Sequence, residues 1–318
     1  MKNRTKKKSN GIERRDFIKV AALSGVALSL GNNEILAKNM LSPSKANHKF
    51  NLKYAPHFGM FKNNAGEDYV DQLKFMAEHG FTAIEDNGMK GKSIDDQNKI
   101  AKEMTRLGIS MGVFVANNIY WKEPNLASGK QDYRDEFLND IRDSVEVAKR
   151  VNAKWMTVVP GHVDLRLEFD YQTANVVESL KQASAILEPH GLVMVLEPLN
   201  FFNHHGLFLT KISQAYQICK AVDSPACKIL DDLYHQQVTE GNLIPNIDSA
   251  WDEIAYFQIG DNPGRKEPTT GEINYKNVFE HIHKKGFKGI LGMEHGNSNK
   301  GKSGEMDVIE AYKKSDNF

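Results

Sequence analysis

Four polar residues in the second half of the chain each follow or end a short apolar run. Glu197 stands in LEPLN, Asp232 in DDLYHQQ, Gln258 in FQIGD and Glu294 in GMEHGN, at spacings of 35, 26 and 36 residues. All four offer a side-chain oxygen, and an oxygen-only set without cysteine favours Mg²⁺ or Mn²⁺ over zinc. Acidic strand ends are also common in proteins that bind no metal, so the spacing alone leaves both interpretations open.

The chain that must position these residues alternates short apolar runs with amphipathic stretches from Leu52 onward, which is typical of βα units and a parallel sheet. Eight strands are predicted, at Lys53 to Pro56, Ala83 to Glu85, Ser110 to Val115, Trp155 to Val159, Val193 to Leu196, Lys228 to Asp231, Ile254 to Ile259 and Gly289 to Met293. Helices are predicted to begin near Glu67, Ile94, Tyr133, Tyr171, Lys211, Gln236, Asn277 and Glu305. Eight such units in one domain predict an α/β fold of the (β/α)8 TIM-barrel type.

Chemistry in a TIM barrel gathers at the carboxyl-terminal ends of the strands. These ends are polar in nearly every unit: His57, Glu85, Asn117, His162, Glu197, Asp232, Gln258 and Glu294. A strand end can be polar simply because it meets water, and for Glu85 and Asn117 this alternative stays open.

The stretch FQIGDNPGRKEPTTGEINY, Phe257 to Tyr275, joins a strand end to a loop dense in turn residues and charges. Many such loops are only solvated surface. This one, however, resembles the late loop of the hydroxypyruvate isomerase family, sugar isomerases built on a xylose-isomerase-like barrel. The resemblance extends from about Tyr54 to Ser298 and is strongest over the last third.

The resemblance implies a role for each of several residues. In xylose-isomerase-like barrels, two glutamates, an aspartate and a His or Gln hold a divalent metal at positions that match Glu197, Glu294, Asp232 and Gln258. Substrate-contacting positions of the family match His235 and Arg265, and we add His57 and Glu272 as further substrate-binding candidates. Asp261 and Glu272 could instead hold the late loop by hydrogen bonds.

The expected chemistry is proton transfer next to a carbonyl group. The metal would polarise a carbonyl and its neighbouring hydroxyl, one of Glu197 and Glu294 would remove a proton to give an enediolate, and the other would return it. Return to the adjacent carbon isomerises hydroxypyruvate to tartronate semialdehyde, whereas return to the opposite face of the same carbon epimerises a sugar. An exported ketose 3-epimerase and a non-catalytic sugar-binding barrel remain alternatives, because His57-Phe58, the ending GMEHGNS and an export motif depart from the family pattern.

The export motif lies near the amino terminus. Arg14 to Lys19 read RRDFIK, which resembles a twin-arginine signal, and Val20 to Leu30 form an apolar stretch too short to span a bilayer. We therefore expect a signal at residues 1–37, with cleavage after Ala37, a linker at 38–51 and the catalytic barrel at 52–318. The partner would be the twin-arginine translocase, and the mature protein would be soluble in the periplasm or outside the cell.

Charge and composition exclude some classes of protein. Residues 38–318 hold 33 basic and 38 acidic residues, and this mildly acidic body argues against a nucleic-acid partner. A nuclease of the apurinic endonuclease type would use a histidine-rich three-metal cluster, and the four strand-end candidates include no histidine.

The two cysteines suggest buried thiols. Tyr120 and Trp121 could wall the substrate or pack under their loop, His204-His205 are expected at the surface, and a homo-oligomer is possible.

Overall fold

The computed structural model describes residues 48–318, and the strands in this range are short and apolar. They are β1 (Tyr54–Ala55), β2 (Ala83–Ile84), β3 (Ser110–Met111), β4 (Trp155–Val158), β5 (Val193–Leu196), β6 (Cys227–Asp232), β7 (Ile254–Gln258) and β8 (Leu291–Gly292). All eight predicted strands are found, β5 with the predicted bounds. The third ends at Met111 rather than at Val115, because beyond it only an isolated bridge, from Val115 to Thr157, continues the pairing.

All strand pairs are parallel, and they curve into a barrel. A continuous six-stranded sheet runs in the order β1-β8-β7-β6-β5-β4, and β2 and β3 form a separate pair. Isolated parallel bridges connect this pair to its neighbours, His57 to Glu85 on one side and Met111 to Ala153 on the other. The prediction of a single-domain TIM barrel is confirmed.

The helices alternate with the strands as predicted, with starts that differ by a few residues. They are α1 (Lys62–Ala65), α2 (Tyr69–Glu78), α3 (Ile94–Leu107), α4 (Gln131–Val151), α5 (Phe169–Leu187), α6 (Ile212–Val222), α7 (Leu233–Thr239), α8 (Leu243–Ala250), α9 (Tyr275–Lys284) and α10 (Gly301–Ser315). Helix α3 shows the local causes: Ser93 caps its first turn by accepting from the Asp96 amide, and Gly108 ends it at φ 70°. The first and sixth units each carry two helices, α1 with α2 and α7 with α8, where the sequence pattern predicts one.

Two apolar layers hold the barrel. Alternate residues of each strand point to opposite sides, so in β5 Val193 and Val195 fill the barrel interior while Met194 and Leu196 pack under the helices. All four are buried, which explains why the strand reads as a continuous apolar run.

The pairing of β6 with β7 contains one irregularity. Ile229 pairs with Ile254, but the next residue, Leu230, pairs with Tyr256, so β7 has one extra residue at this point. Past the bulge the register continues to Asp232, which lies opposite Gln258.

Within residues 48–318 there is no helix with the length and apolarity needed to cross a membrane. Cys219 and Cys227 are buried and unbridged, as expected. The twin-arginine motif at residues 14–19 and the predicted boundary after Ala37 lie outside the described residues, so the proposed division of the chain stays a prediction.

Candidate active site

The four oxygen-bearing residues singled out by their spacing lie at the carboxyl-terminal ends of four neighbouring strands. Asp232 and Gln258 end β6 and β7. Glu197 follows β5 directly, and Glu294 lies two residues beyond β8. Gln258 pairs with Asp232 on one side and with Gly292 on the other, and residues in register on parallel strands point to the same side of the sheet. The barrel therefore brings these ends to one edge.

Three carboxylates and one imidazole form a compact cluster at this edge. Glu197, Asp232, His235 and Glu294 each place one ligand atom within 4.8 Å of those of the others. The first three are buried, and Glu294 is partly exposed. The predicted ligands Glu197, Asp232 and Glu294 are thus close together, and His235, predicted to contact substrate, joins them.

The two glutamates of the cluster hold their protons more tightly than isolated carboxyls do. Burial, then the neighbouring Glu294 and Asp232, raise the pKa of Glu197 well above its usual value. Burial also raises the pKa of Glu294, to about 7, with Asp232 adding to the effect and Arg265 opposing it. Glu294 can therefore exchange a proton near neutral pH, and Glu197 favours its protonated form more than an isolated carboxyl does.

Asp232 behaves differently, because its surroundings favour the charged form. Its Oδ1 accepts hydrogen bonds from the backbone N–H groups of Tyr234, at 2.8 Å, and His235, at 3.2 Å, and so caps α7. Burial acts to raise the pKa of Asp232, but His235, Arg265 and these two amides outweigh it and lower the pKa. The cluster therefore combines one fixed anion with two carboxyls that can carry a proton.

His235 has a defined tautomer. The backbone N–H of Asn200 donates to Nδ1 of His235 at 3.2 Å, so Nδ1 carries a lone pair. Burial, with Arg265 adding to it, lowers the pKa of His235 to about 4, and the neutral ring then holds its proton on Nε2. That N–H lies 3.6 Å from Oδ2 of Asp232 and 4.0 Å from Oε1 of Glu197. Both distances are too long for a hydrogen bond, so the Nε2–H of His235 faces the cluster without a partner among residues 48–318 and, in this tautomer, can donate a hydrogen bond but not bind a metal.

Gln258, in register with Asp232, offers a further buried oxygen. Its Nε2 is directed at Glu85, while its Oε1 is buried and has no hydrogen-bond partner within residues 48–318. An orphaned buried oxygen is costly unless something binds it. Together with three carboxylates it gives an oxygen-only donor set, which fits a hard divalent ion such as Mg²⁺ or Mn²⁺.

Arg265 lies over the cluster. Its Nη2 is 2.5 Å from Oε2 of Glu294 and 3.2 Å from Oδ2 of Asp232, and its guanidinium packs 5.1 Å from the ring centre of Tyr234. Asp232 and Glu294 raise the pKa of Arg265 against the effect of burial. The residue has φ 49°, an uncommon value for a non-glycine residue, as is frequent at functional sites.

Two asparagines that support the cluster were not predicted. Asn87, after β2, donates from Nδ2 to Oε1 of Glu294 at 2.7 Å. Asn200 is fully buried and fixes the ring of His235. In the sequence, Asn87-Gly88 has the composition of an ordinary turn, and Asn200 follows Glu197 in LEPLN without a pattern of its own.

The other two substrate-binding candidates hold backbone or loop contacts. His57 has Nδ1 2.9 Å from the carbonyl of Phe58 and Nε2 3.2 Å from the carbonyl of His295. Glu272 is exposed and accepts from the side chains of Asn262 and Gln237. The structure therefore shows Glu272 holding the late loop, which was the alternative, and substrate contact by either residue stays a prediction.

Asp261 holds the same late loop from inside. It is fully buried, and its carboxylate accepts from the backbone N–H groups of Gly271, at 2.9 Å, and Ile273, at 3.0 Å.

The loops at the barrel mouth place aromatic rings beside the cluster. Trp121 is 45% exposed and stacks on His204, with 5.3 Å between ring centres, and His204 lies 5.3 Å from His235. Tyr120 instead turns to α4, where its hydroxyl donates to Glu136 at 2.8 Å. Both residues were predicted either to wall the substrate or to pack under their loop: Trp121 lines the barrel mouth, whereas Tyr120 packs against α4. His204, expected at the surface, lies beside His235 of the cluster.

A parallel barrel with three carboxylates and an imidazole clustered at its carboxyl-terminal edge is the arrangement of a TIM-barrel enzyme. Residues 73–314 match the family model described as xylose isomerase-like TIM barrel. The chain belongs to this family.

Relatives in sequence carry isomerase names. The chain is 32% identical to the hydroxypyruvate isomerase of Escherichia coli over 161 residues, which span 51% of this chain and 62%, less than two thirds, of that protein. It is 30% identical to a putative hydroxypyruvate isomerase of Xenopus laevis, covering 72% of this chain and 84% of the relative. It is 25% identical to the 2-oxo-tetronate isomerase of Pectobacterium atrosepticum, covering 76% and 91%. These relatives support an isomerase.

Solved structures agree on the fold. The structure of an AP endonuclease, family 2, from Brucella melitensis superposes with a TM-score of 0.70 at 25% identity, covering 80% of this chain and 96% of that one. The 3-keto-D-glucoside 4-epimerase from E. coli superposes with a TM-score of 0.69 at 17% identity, covering 83% and 99%, and bears on the fold alone.

Proposed function

We propose that this protein isomerises a small hydroxycarbonyl compound, with hydroxypyruvate to tartronate semialdehyde as the first candidate reaction. One observation carries the proposal: Glu197 and Glu294, two carboxyls with raised pKa values, share a cluster with the charged Asp232. The names of the sequence relatives support the same reaction class.

The two glutamates would move a proton between neighbouring carbons. One carboxylate takes the proton from the hydroxyl-bearing carbon, and the other glutamate, in its acid form, delivers a proton to the former carbonyl carbon. The hydroxyl proton passes to the former carbonyl oxygen, so the sum of atoms is unchanged. A pKa near 7, as at Glu294, suits a group that must both give and take a proton.

The protein would work with a divalent metal held by Glu197, Asp232, Gln258 and Glu294. Such an ion, Mg²⁺ or Mn²⁺, supplies Lewis-acid polarisation of the substrate's carbonyl and hydroxyl oxygens. The orphaned Oε1 of Gln258 and the oxygen-only donor set support this assignment.

His235 and Arg265 would orient the substrate. The Nε2–H of His235 faces the cluster and can donate to a substrate oxygen, and Arg265 can pair with a carboxylate such as that of hydroxypyruvate. Because Asn200 holds the imidazole ring, the donor needs no reorientation when substrate arrives.

A second candidate is epimerisation of a larger sugar. The half-exposed indole of Trp121, stacked on His204 beside His235, favours it, because an aromatic wall at the barrel mouth suits a substrate with a larger apolar face. A sugar-binding barrel without turnover is the third possibility.

A substrate panel in deuterated water tests the proposal. Protein freed of metal with EDTA is reloaded with Mn²⁺ or Mg²⁺ and given hydroxypyruvate, 2-oxo-tetronate, free ketoses or oxidised sugar derivatives, and products are followed by NMR. Metal-dependent isomerisation of a hydroxycarbonyl acid, with deuterium entering the product, is the expected result. Epimerised sugars would favour the second candidate, and metal binding without turnover on any compound would favour the binding barrel.

We also propose that the chain is exported by the twin-arginine route. The support is the motif RRDFIK followed by a short apolar stretch, Val20 to Leu30.

A further inference from the structure

Glu85 is a carboxylate buried inside the barrel, for which neither the cluster nor the proposed chemistry assigns a role. It directly follows β2, forms the bridge to His57 and is 1% exposed. A carboxylate in such a place is costly unless its oxygens are hydrogen-bonded. Its partners therefore indicate what it does.

Both partners of Glu85 come from the inner face of β7. The hydroxyl of Tyr256 donates to Oε2 at 3.0 Å, and Nε2 of Gln258 lies 3.4 Å from each carboxylate oxygen. Residues two apart on a strand point to the same side, so one buried carboxylate meets two consecutive inward side chains.

Two glycines leave the space that this arrangement needs. A Cβ atom at Gly292 would lie 1.8 Å from Oε2 of Glu85, and one at Gly112 would lie 2.3 Å from the hydroxyl oxygen of Tyr256. Contacts this short are sterically impossible, so any other residue at either position would push Glu85 or Tyr256 away. The interior at this level is shaped around the carboxylate.

We propose that Glu85 is a positioning residue that sets the orientation of the Gln258 amide. A glutamine side chain can present either its oxygen or its NH₂ group in a given direction. A carboxylate partner binds the NH₂ group, so Glu85 holds Nε2 inward and turns Oε1 toward the edge where Asp232 lies. The orphaned Oε1 is the oxygen left over by this contact.

This role rests on the proposed metal-dependent function, because the oriented oxygen serves as a metal ligand. Without Glu85, the amide could turn its NH₂ group toward the cation, which would replace an attractive contact by a repulsive one. Partners that orient ligands in this way typically change metal affinity by about 10- to 100-fold.

A double-mutant cycle on Mn²⁺ affinity tests the proposal, with calorimetric titration of the full chain. Glu85→Gln keeps the shape but offers an amide of its own, so it no longer selects one orientation of Gln258. We expect Glu85→Gln to weaken Mn²⁺ binding by about 10- to 100-fold, and to cause no further loss when added to Gln258→Ala. Glu85→Asp, which keeps the charge but is one methylene shorter, should weaken binding as well and serves if Glu85→Gln does not fold.

Glu253→Gln is the matched control. Glu253 is also buried but pairs with Lys228, 2.5 Å away, near the start of β7 at the other end of the barrel, and its loss should leave Mn²⁺ affinity unchanged. Unchanged affinity in Glu85→Gln, or an equal loss with and without Gln258, would overturn the positioning role alone. A wild-type protein that binds no Mn²⁺ would overturn the proposed metal site and this role with it.

Discussion

Arg265 contacts both the side chain and the backbone of Glu294. Its Nη2 lies 2.5 Å from Oε2 of Glu294, and its Nε donates to the Glu294 carbonyl oxygen at 3.2 Å. The same Nη2 reaches Asp232 at 3.2 Å. One guanidinium therefore offsets the repulsion between two carboxylates that the cluster forces together.

Arg265→Met should make the protein depend more on a bound cation. Without the guanidinium, Glu294 and Asp232 face each other uncompensated, so the unfolding temperature in EDTA should fall. The Arg265 side chain is partly exposed, so we expect a loss of about 1–3 kcal/mol, below that for a fully buried pair. Added Mn²⁺ should then raise the unfolding temperature more than it does in wild type. Lys285→Met, which removes a cation paired with Asp248 elsewhere, should show the wild-type increase.

Asp232→Asn should lower metal content and turnover together. Asparagine can still accept from the amides of Tyr234 and His235, so the start of α7 is kept and only the charge is lost. Metal content of the purified protein and turnover on the active substrate are the measurements. Asp231→Asn is the control. Successive side chains of a strand point to opposite sides, so Asp231 points away from the side that carries Asp232, and the variant should keep wild-type metal content. Undiminished metal in Asp232→Asn would exclude Asp232 as a ligand.

Glu294→Gln should separate proton transfer from metal binding. The amide keeps an oxygen ligand of similar shape but cannot exchange a proton, so metal should stay partly bound while turnover falls by about 10²- to 10⁴-fold. In the wild-type reaction, deuterium from the solvent should appear at the carbon that receives the proton. A fully active variant, together with complete retention of the substrate hydrogen, would point to a hydride shift or a shielded proton and contradict the two-glutamate mechanism.

As the pH falls, His295 should lower the free energy of unfolding of the metal-free protein. The ring is buried, with Nε2 2.9 Å from the Tyr312 hydroxyl oxygen, and burial lowers its pKa to about 3. Between its ordinary pKa of about 6.5 and pH 3, the unfolded chain binds a proton that the folded chain does not. This histidine should therefore cost ~1.4 kcal/mol of unfolding free energy for each pH unit below about 6.5.

Urea unfolding in EDTA at pH 6.5, 5.5 and 4.5 measures this loss. As the pH falls over this range, the unfolding free energy of wild type should decrease relative to that of His295→Gln. The slope of the variant then reflects His235, with a pKa of about 4, which acts in the same direction as His295, and Glu197 and Glu294, whose raised pKa values act in the opposite direction. Equal slopes in the two proteins would show that His295 is not responsible.

Export should depend on the paired arginines at the amino terminus. Arg14→Lys combined with Arg15→Lys keeps the charge but breaks the twin-arginine motif, so the protein should stay in the cytoplasm. Cell fractionation followed by immunoblotting measures this, with Arg4→Lys as the control outside the motif. Normal export of the double variant would contradict the proposal.

Local and periodic features were predictable from the sequence. Strand β5 has the predicted bounds, because a run of buried aliphatic residues ends at a charged one, Glu197. The four ligand candidates were predictable because each ends or follows an apolar run and lies about one βα unit, 26 to 36 residues, from the previous one. The barrel architecture then places their strand ends at one edge without further information.

Contacts between distant parts of the chain were not predictable. Asn87 meets Glu294 across 207 residues, and nothing near Asn87 marks it as different from a turn residue. The tautomer of His235 depends on Asn200, and the place of His204 depends on its stacking with Trp121. Such pairs have no period along the sequence, so only the folded barrel shows them.

The bulge between β6 and β7 decides which residue of β7 lies opposite Asp232. Upstream of it Ile229 faces Ile254, and one extra residue in β7 lets Asp232 face Gln258 instead of Phe257. Regular pairing of β7 without the bulge would place Phe257 beside Asp232 and turn the Gln258 amide toward the helices, whereas loss of the extra residue, Ala255, would leave Gln258 opposite Asp232. β7 can therefore lose its one extra residue at the bulge without moving the oxygen of Gln258, but a residue added between the bulge and Gln258 would place a different side chain beside Asp232.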